Sequence, residues 1–222
     1  MKTFIFDFDG TLLDTTFLSF KKVNSCLKKC GLESVPINEL RQKWGLPWDK
    51  LSAWILEYTG ASFAQKEKFI RLEMKFKYSF FGNDKILFAL KRLSWQGNLV
   101  AVVTNRTRNS FESFTDSVKF DRSVFQFVQT AEPGEHHKPD PRVFNSVINW
   151  SIKNGQADVQ QMIYFGDTVD YDLAAVKNRP PMDFVGVVSG VNTKEEFLEA
   201  GLPESKITNF QDLPSYLERC YL

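Results

Sequence analysis

The most constraining feature of this 222-residue chain is a short apolar run near its N-terminus that ends in two acidic residues. Thr3 to Phe6 is almost entirely apolar on both alternating faces, which predicts a strand buried in the middle of a parallel sheet. Asp7 and Asp9 follow at once, and Gly10 permits a sharp exit from the strand. Side chains two positions apart in an extended chain point the same way. We therefore expect both carboxylates in the crevice at the carboxyl end of the strand, where open α/β sheets bind ligands.

A surface turn is the alternative interpretation, because Asp-Gly is common turn chemistry. Turns rarely lie between a strand as apolar as this one and the apolar pair Leu12-Leu13 that follows. We therefore favour a site over a turn.

The spacing of apolar residues changes along the chain. Between residues 16 and 81 it is helical, with a last long helix predicted at 63–80, and this segment contains no convincing strand. Strands predicted at 99–103, 125–129, 161–165 and 184–188, with a short one at Ile207, then alternate with helices, among them 141–152 and 173–178. This alternation predicts an α/β fold with a doubly wound parallel sheet.

The helical segment is too long for a loop within a compact domain. We therefore predict two domains: an α/β core formed by residues 1–15 and 82–222, and an inserted all-helical cap formed by residues 16–81.

Composition excludes several classes of function. The chain is 43% hydrophobic and 25% charged with a net charge of +1, so electrostatics favours no nucleic-acid partner and no membrane surface. No apolar run reaches spanning length, and no signal peptide precedes the first strand. The three cysteines, Cys26, Cys30 and Cys220, fit no metal-ligand pattern and indicate reduced thiols. We expect a cytoplasmic protein, monomeric or homodimeric.

Polar residues also follow the later strands of the predicted core. Thr104-Asn105 ends the strand 99–103, Gly166-Asp167 ends the strand 161–165, and Lys138 precedes the helix that opens at Pro141. A threonine after a strand is commonly a turn residue, a lone lysine is commonly a solvated surface charge, and His136 and His137 are commonly loop residues.

Taken together, these segments resemble the four signatures of the haloacid-dehalogenase-like superfamily of phosphotransfer enzymes. Asp7-Phe8-Asp9-Gly10-Thr11 resembles the first signature, and Thr104, Lys138 and the acids after Gly166 resemble the other three in order. The resemblance implies a Rossmann-like core with a helical cap similar to that of phosphoglycolate-phosphatase-like members. It further implies that Asp7 is the nucleophile and forms an aspartyl phosphate, and that Asp9 is the general acid and then the base.

The resemblance also assigns the phosphate and metal ligands. Thr104, the backbone amide of Asn105 and Lys138 are expected to bind the phosphate. Crowded carboxylates and a phosphate substrate favour Mg²⁺, and its expected ligands are Asp7, Asp9, Asp167 and Asp172.

The second acid of the last signature is ambiguous. Many members place it four residues after the first, where this chain has Tyr171. Asp172, at five residues, fits an accepted variant, and Asp170 is interpreted as a helix cap. The choice between Asp170 and Asp172 stays open.

The predicted function is Mg²⁺-dependent hydrolysis of a small phosphorylated metabolite. A phosphomutase is the nearest alternative, although Thr11 stands where the family's sugar phosphomutases tend to have Val. A dehalogenase is disfavoured by Asp9, and an inactive binding module is disfavoured by the retained signatures. Candidates for substrate selection are Trp44, Trp48 and Lys50, with Gly82 as a candidate hinge of the cap.

Overall fold

The computed structural model describes residues 1–75, 84–156, 158–177 and 182–222. Within them six strands form one sheet in the order β3-β2-β1-β4-β5-β6, and every neighbouring pair is parallel. The strands are β1 Thr3–Phe6, β2 Leu99–Val103, β3 Phe127–Gln129, β4 Met162–Gly166, β5 Asp183–Val188 and β6 Ile207–Asn209. The predicted α/β fold with a doubly wound parallel sheet is confirmed.

The helices of the described residues separate into two groups along the chain. The first four lie between β1 and β2: α1 Thr16–Lys29, α2 Ile37–Lys43, α3 Trp48–Tyr58 and α4 Phe63–Met74. The others follow in the order α5 Asp84–Trp95, α6 Arg108–Ser117, α7 Asn145–Lys153, α8 Ala174–Lys177, α9 Lys194–Glu199 and α10 Leu213–Tyr221. We call α1–α4 the helical insertion.

The first strand lies at the point where the strand order reverses. β1 pairs with β2 on one side and with β4 on the other, so that Phe6 lies opposite both Val102 and Phe165. The carboxyl ends of parallel strands meet at one edge of the sheet, and the crevice at such a switch point is where open α/β sheets bind ligands. Residues that follow β1, β2 and β4 are thereby brought together.

Helices cover both faces of the sheet. Phe4 and Phe6 belong to one hydrophobic cluster, together with buried residues of α5, α6 and α10, whereas Ile5 between them belongs to a second cluster with residues of α7 and α9. This is the period of two expected for a strand buried on both faces.

The helical insertion has a hydrophobic cluster of its own. Its fully buried members include Leu27, Leu40, Ile55 and Phe69. Ser62 begins α4 with a capping box in which its side chain and that of Gln65 pair with each other's backbone amides. A separate core supports the division into two domains, which stays a prediction. The predicted boundary at 81/82 and the hinge at Gly82 lie outside the described residues.

Several predicted elements differ from the observed ones. The helix predicted at 63–80 is described as far as Met74, and the strand predicted at 125–129 begins only at Phe127. The helix predicted from Pro141 opens as the 3₁₀ turn Pro141–Phe144, and the one predicted from Leu173 is preceded by the π-helical turn Val169–Leu173. Helix α9 was not predicted from the sequence, although Thr193 and Glu196 form a capping box at its start.

None of the helices in the described ranges is both long and apolar enough to cross a membrane.

Candidate active site

Asp7 leaves the end of β1 directly into the crevice. Its backbone amide donates to the Phe165 carbonyl at 2.8 Å, which extends the pairing with β4 by one residue, and its side chain is buried. Gly10 turns the chain away with a φ of 73°. A Cβ at Gly10 would lie 2.1 Å from Asp167 Oδ2, so glycine is required here both by the backbone conformation and by the neighbouring carboxylate.

Three buried carboxylates converge where β1 and β4 end. Asp7, Asp167 and Asp172 each offer an oxygen, and these oxygens all lie within 4.8 Å of one another. Lys138 Nζ is 2.7 Å from Asp7 Oδ1 and 2.7 Å from Asp172 Oδ1, and its side chain is 3% exposed. Among these four side chains, three acids therefore face one cation.

The crowding of these acids shifts their pKa values. Burial raises the pKa of Asp7 to about 7, with Lys138 opposing the shift and Asp172 adding to it. Burial also raises the pKa of Asp167 well above its ordinary value, and the charges of Asp172 and Asp7 add to that. Burial would lower the pKa of Lys138, but Asp172 and Asp7 raise it, so the ammonium stays charged.

A divalent cation fits this donor set. Buried carboxylates with raised pKa values carry unfavourable negative charge, which a bound cation relieves. Asp7 and Asp167 supply hard oxygen donors of the kind that Mg²⁺ prefers. Ser189 Oγ donates to Asp167 Oδ2 at 3.2 Å and holds that carboxylate at the site.

Asp172 has both oxygens occupied by protein donors. Oδ1 accepts from Lys138 and from the Tyr164 hydroxyl at 2.7 Å each. Oδ2 accepts from the Thr168 amide at 3.0 Å and from its hydroxyl at 2.6 Å. Asp170 is exposed. The five-residue spacing from Asp167 is thus accommodated by the π-helical turn, and Asp172 rather than Asp170 lies in the site.

The interpretation of Asp170 as a helix cap is wrong. The capping residue is Thr168, whose hydroxyl accepts from the Asp172 amide at 3.1 Å. The same hydroxyl also donates to the Asp172 carboxylate, so Thr168 both caps the turn and holds the acid in place.

Thr104 and Asn105 follow β2 and are both buried. The Asn105 side chain brackets the backbone of Lys138: Oδ1 accepts from its amide and Nδ2 donates to its carbonyl, at 3.0 Å each. Nδ2 also donates to the Gly45 carbonyl of the helical insertion at 2.6 Å. The side chain of Asn105, for which the sequence suggested no role, thereby positions the lysine.

Asp9 is held apart from the three converging carboxylates. Arg106 binds it in a bidentate manner, with Nε 2.5 Å from Oδ2 and Nη2 2.7 Å from Oδ1, and the Thr15 hydroxyl donates to Oδ1 at 2.7 Å. Burial would raise the pKa of Asp9, but Arg106 and Thr15 hold it below its ordinary value. The side chain of Asp9 is therefore not brought together with the other predicted metal ligands.

The sequence also matches a known family. The model of that family, described as haloacid dehalogenase-like hydrolase, matches residues 4–187. The chain belongs to this family. It is therefore a hydrolase, and the resemblance seen in the sequence motifs is confirmed.

Curated relatives of this hydrolase extend over almost the whole chain. The "Probable phosphatase IndB" of Dickeya dadantii is 26% identical over 215 residues, covering 94% of this chain and 90% of the relative. A protein named phosphoglycolate phosphatase from Vibrio cholerae is 24% identical over 213 residues, covering 90% of each.

Solved structures share the fold. A protein described as a predicted phosphoglycolate phosphatase from Haemophilus somnus superposes with a TM-score of 0.77 at 21% identity, covering 97% of each chain. A β-phosphoglucomutase from Clostridium difficile superposes with a TM-score of 0.67 at 18% identity, covering 99% of this chain and 98% of the other. At these identities the similarity shows the fold alone.

A cavity of about 1180 Å³ lies between the core of this hydrolase and its helical insertion. The core contributes Asp7, Asp9, Thr104, Asn105, Arg106, Lys138 and Asp167, among others. The insertion contributes Ser19, Lys22, Val23, Trp44, Gly45, Leu46, Trp48, Leu51, Glu73, Met74 and Lys75. The predicted phosphate ligands and both predicted catalytic acids therefore open into one space.

The candidates for substrate selection separate in the structure. Trp44 and Trp48 line the cavity, and both also pack against the hydrophobic cluster of the insertion. Lys50 is exposed, and its Nζ lies 2.8 Å from His137 Nε2 of the core, so it bridges the insertion to the core instead. His136 pairs with Asp140, Nδ1 to Oδ2, at 3.3 Å.

Several residues that contact the acids of this site were missed from the sequence, among them Arg106, Thr15 and Tyr164. Arg106 directly follows Thr104-Asn105 on the chain, which could have identified it. Thr15 and Tyr164 carried no such signal, because each reaches its acid only through the three-dimensional arrangement of the loop and the strand.

Proposed function

We propose that this hydrolase is a phosphatase that cleaves the phosphate monoester of a small metabolite through an aspartyl phosphate on Asp7. The observation that carries the proposal is the buried Asp7 at the switch point of the sheet, in contact with Lys138 and open to the cavity. The names of the curated relatives from Dickeya dadantii and Vibrio cholerae support it.

Attack begins at the carboxylate of Asp7. A carboxylate can displace an alcohol from phosphorus and form an acyl phosphate, as in other enzymes with an aspartyl nucleophile. Lys138 lies 2.7 Å from Asp7 Oδ1, where its charge offsets that of the incoming phosphoryl oxygens. The Thr104 hydroxyl and the Asn105 backbone amide, at the end of β2, are proposed to bind the phosphoryl oxygens.

Asp7 and Asp167 are the side chains that would hold Mg²⁺. A bound Mg²⁺ supplies positive charge that makes the approach of an anionic phosphate to these carboxylates tolerable. Asp172 has both oxygens committed to Lys138, Tyr164 and Thr168, so we propose that it acts chiefly by holding the lysine.

Asp9 is proposed to protonate the leaving oxygen and then to take a proton from the attacking water. In the described structure its two oxygens bind Arg106 and Thr15. Catalysis therefore requires an exchange of at least one of these contacts when the substrate binds.

The helical insertion is proposed to act as a cap that selects the substrate and excludes water. Phosphoglycolate is the first substrate to test, because relatives carry that name. A cavity of about 1180 Å³ also leaves room for larger esters, since pockets for drug-sized ligands span about 300–1,000 Å³. We propose a cytoplasmic monomer or homodimer that needs no nucleic-acid or membrane partner.

A phosphomutase remains the alternative within the same family. The likeness to the Clostridium difficile β-phosphoglucomutase extends to the fold alone. Thr11, which argues against a sugar phosphomutase by the resemblance, is fully buried beside the site.

Hydrolysis of a chromogenic phosphate ester by the purified protein tests the proposal. We expect turnover in Mg²⁺, none in excess chelator, and none in the Asp7→Asn variant under either condition. Turnover by Asp7→Asn close to that of the wild type would refute the aspartyl-phosphate route. Failure of the wild type to release phosphate from this ester and from a panel of phosphorylated metabolites would refute the phosphatase function.

A further inference from the structure

The contact between Arg106 and Asp9 joins the proposed general acid to a cation in the wall of the cavity. Two of the guanidinium nitrogens bind the two carboxylate oxygens at 2.5 and 2.7 Å. The side chains are 17% and 24% exposed respectively. Bidentate pairs of this kind are among the strongest hydrogen-bonded ion pairs in proteins.

The guanidinium of Arg106 is fixed from two further directions. Nη1 donates to Ser110 Oγ at 3.0 Å, and the guanidinium carbon lies 4.4 Å from the centre of the Phe114 ring. Both partners lie on α6 and, like Arg106, line the cavity. Arg106 can therefore keep its position while the group that it binds changes.

This arrangement conflicts with the role proposed for Asp9. A carboxylate whose two oxygens already accept three hydrogen bonds from Arg106 and Thr15 is not presented to a leaving oxygen. A neutral leaving group offers Arg106 no charge in exchange, and separating a partly buried pair without replacement leaves an uncompensated charge, which is costly. An anion on the leaving group would take the place of Asp9 against the guanidinium.

We propose that Arg106 determines the specificity of this enzyme for phosphate esters whose leaving group carries a second anionic group, a carboxylate or a phosphate. Binding of that anion to Arg106 releases the Asp9 carboxylate, which takes up a proton from water and donates it to the leaving oxygen. The inference rests on the proposed phosphatase function and concerns the same cavity.

Two other cations that line the cavity are paired with carboxylates of the site or of the insertion. Lys22 pairs with Glu73, and Lys138 pairs with Asp7 and Asp172. Lys75 is exposed at the end of α4. Among the described cations of the cavity wall, Arg106 is the one that hydrogen-bonds the proposed acid, so recognition of an anion there is coupled to catalysis.

The test compares three esters that differ in the second group of the leaving alcohol. That group is a carboxylate in phosphoglycolate, a phosphate in ethylene glycol bisphosphate and an uncharged hydroxyl in 2-hydroxyethyl phosphate. The wild type is expected to show the higher kcat/KM for at least one anionic ester. Arg106→Gln should lower the ratio of kcat/KM for an anionic second group to kcat/KM for the hydroxyl group by roughly 10- to 100-fold, the range for hydrogen bonds to charged groups. Comparison of the two anionic esters shows whether Arg106 prefers a carboxylate or a phosphate as the second group.

Two control variants isolate the charge. Arg106→Lys keeps the positive charge but loses the bidentate geometry, so we expect an intermediate ratio. Thr15→Val removes the other hydrogen bond to Asp9 without a change of charge, and it should alter all three esters by the same factor. Circular dichroism and thermal unfolding verify the fold of each variant.

An unchanged ratio in Arg106→Gln, with all esters slowed alike, would show that Arg106 only orients Asp9 and would overturn the proposal. A wild type without preference for either anionic ester would overturn it as well. Titration calorimetry measures the affinities of the three esters for the inactive Asp7→Asn variant, with and without the second change Arg106→Gln. The ratio of these affinities reports the same selectivity without turnover. If no ester is hydrolysed by the wild type, the phosphatase function fails, and this binding measurement alone then decides whether Arg106 recognises the anion.

Discussion

Lys138 and Asp172 form a buried ion pair in which Nζ and Oδ1 are 2.7 Å apart. Asp172→Asn should lower the free energy of unfolding by about 3 kcal/mol, because an amide NH₂ group in place of one carboxylate oxygen leaves two buried donors without an acceptor. It should also reduce kcat, because the lysine loses a contact that orients it. Asp170→Asn is the matched control: Asp170 is exposed and should change stability by less than about 0.5 kcal/mol. Urea unfolding of both variants is the measurement, and equal losses would contradict the assignment.

Asp7→Asn should abolish turnover and leave the fold intact. An amide cannot attack phosphorus, and the change is nearly isosteric. Removal of one of three crowded acids also relieves the repulsion that raises the pKa of its neighbour Asp167. The Tm of the metal-free variant should therefore equal or exceed that of the wild type. A lower Tm together with residual activity would contradict both expectations.

The metal-free protein should lose stability as the pH rises from about 4 to about 7. The folded-state pKa of Asp7 is raised to about 7, so the native state binds a proton that the unfolded chain has already lost, and stability falls with pH across that window. Mg²⁺ should restore it, with a larger increase in Tm near pH 8 than near pH 5. Thermal unfolding with Mg²⁺ or chelator tests this. In Asp167→Asn the increase should be small, and an equal increase there would argue against the proposed ligand.

Gly45→Ala should reduce kcat/KM by disturbing the contact between the helical insertion and the core. Gly45 has a φ of 111°, and a Cβ there would lie 2.3 Å from Tyr171 Cδ2. Gly60→Ala is the control, because Gly60 has a φ of 63° in the same insertion with nothing within 4 Å of the added Cβ. It should cost about 1–2 kcal/mol of stability from backbone strain and leave kcat/KM unaffected. Similar kinetics for the two variants would remove Gly45 from any role at the interface.

Trp48→Ala should change the ratio of kcat/KM between two phosphorylated metabolites by roughly 1–3 kcal/mol, the range for lost pocket contacts. Trp48 lines the cavity. Lys50→Ala should leave that ratio near its wild-type value, because Lys50 contacts His137 outside the cavity wall. Steady-state kinetics on a large and a small ester provide the measurement. If both esters are slowed equally by Trp48→Ala, Trp48 only supports the packing of the insertion.

The strand ends could be predicted from the sequence because their signals are local. An apolar run followed by polar residues identifies both a buried strand and the end of the sheet at which it stops. Asp7, Thr104 and Asp167 all follow such runs. Helix α9 was missed because its apolar content is low, and only its capping box marks it.

The contacts that set the electrostatics could not be predicted in this way. Arg106 and Asp9 are 97 positions apart, and Lys138 and Tyr164 are 26 apart. Which atoms meet depends on strand register and on the path of each loop, and neither is encoded in any short segment. Likewise, Asp172 rather than Asp170 lies in the site because the chain there forms a π-helical turn, Val169–Leu173, which the sequence did not predict.

The side chain of Asn105 has a consequence for the transfer of specificity between relatives. One amide group holds the backbone of Lys138 and, through its Nδ2, the carbonyl of Gly45. A helical insertion grafted from another member of the family would have to present a carbonyl oxygen at the same point, or the graft would leave this amide with one bond fewer beside the lysine. In chimeras that exchange residues 16–75, loss of this one carbonyl should cost about 1 kcal/mol of contact between insertion and core, whichever substrate-facing side chains are chosen.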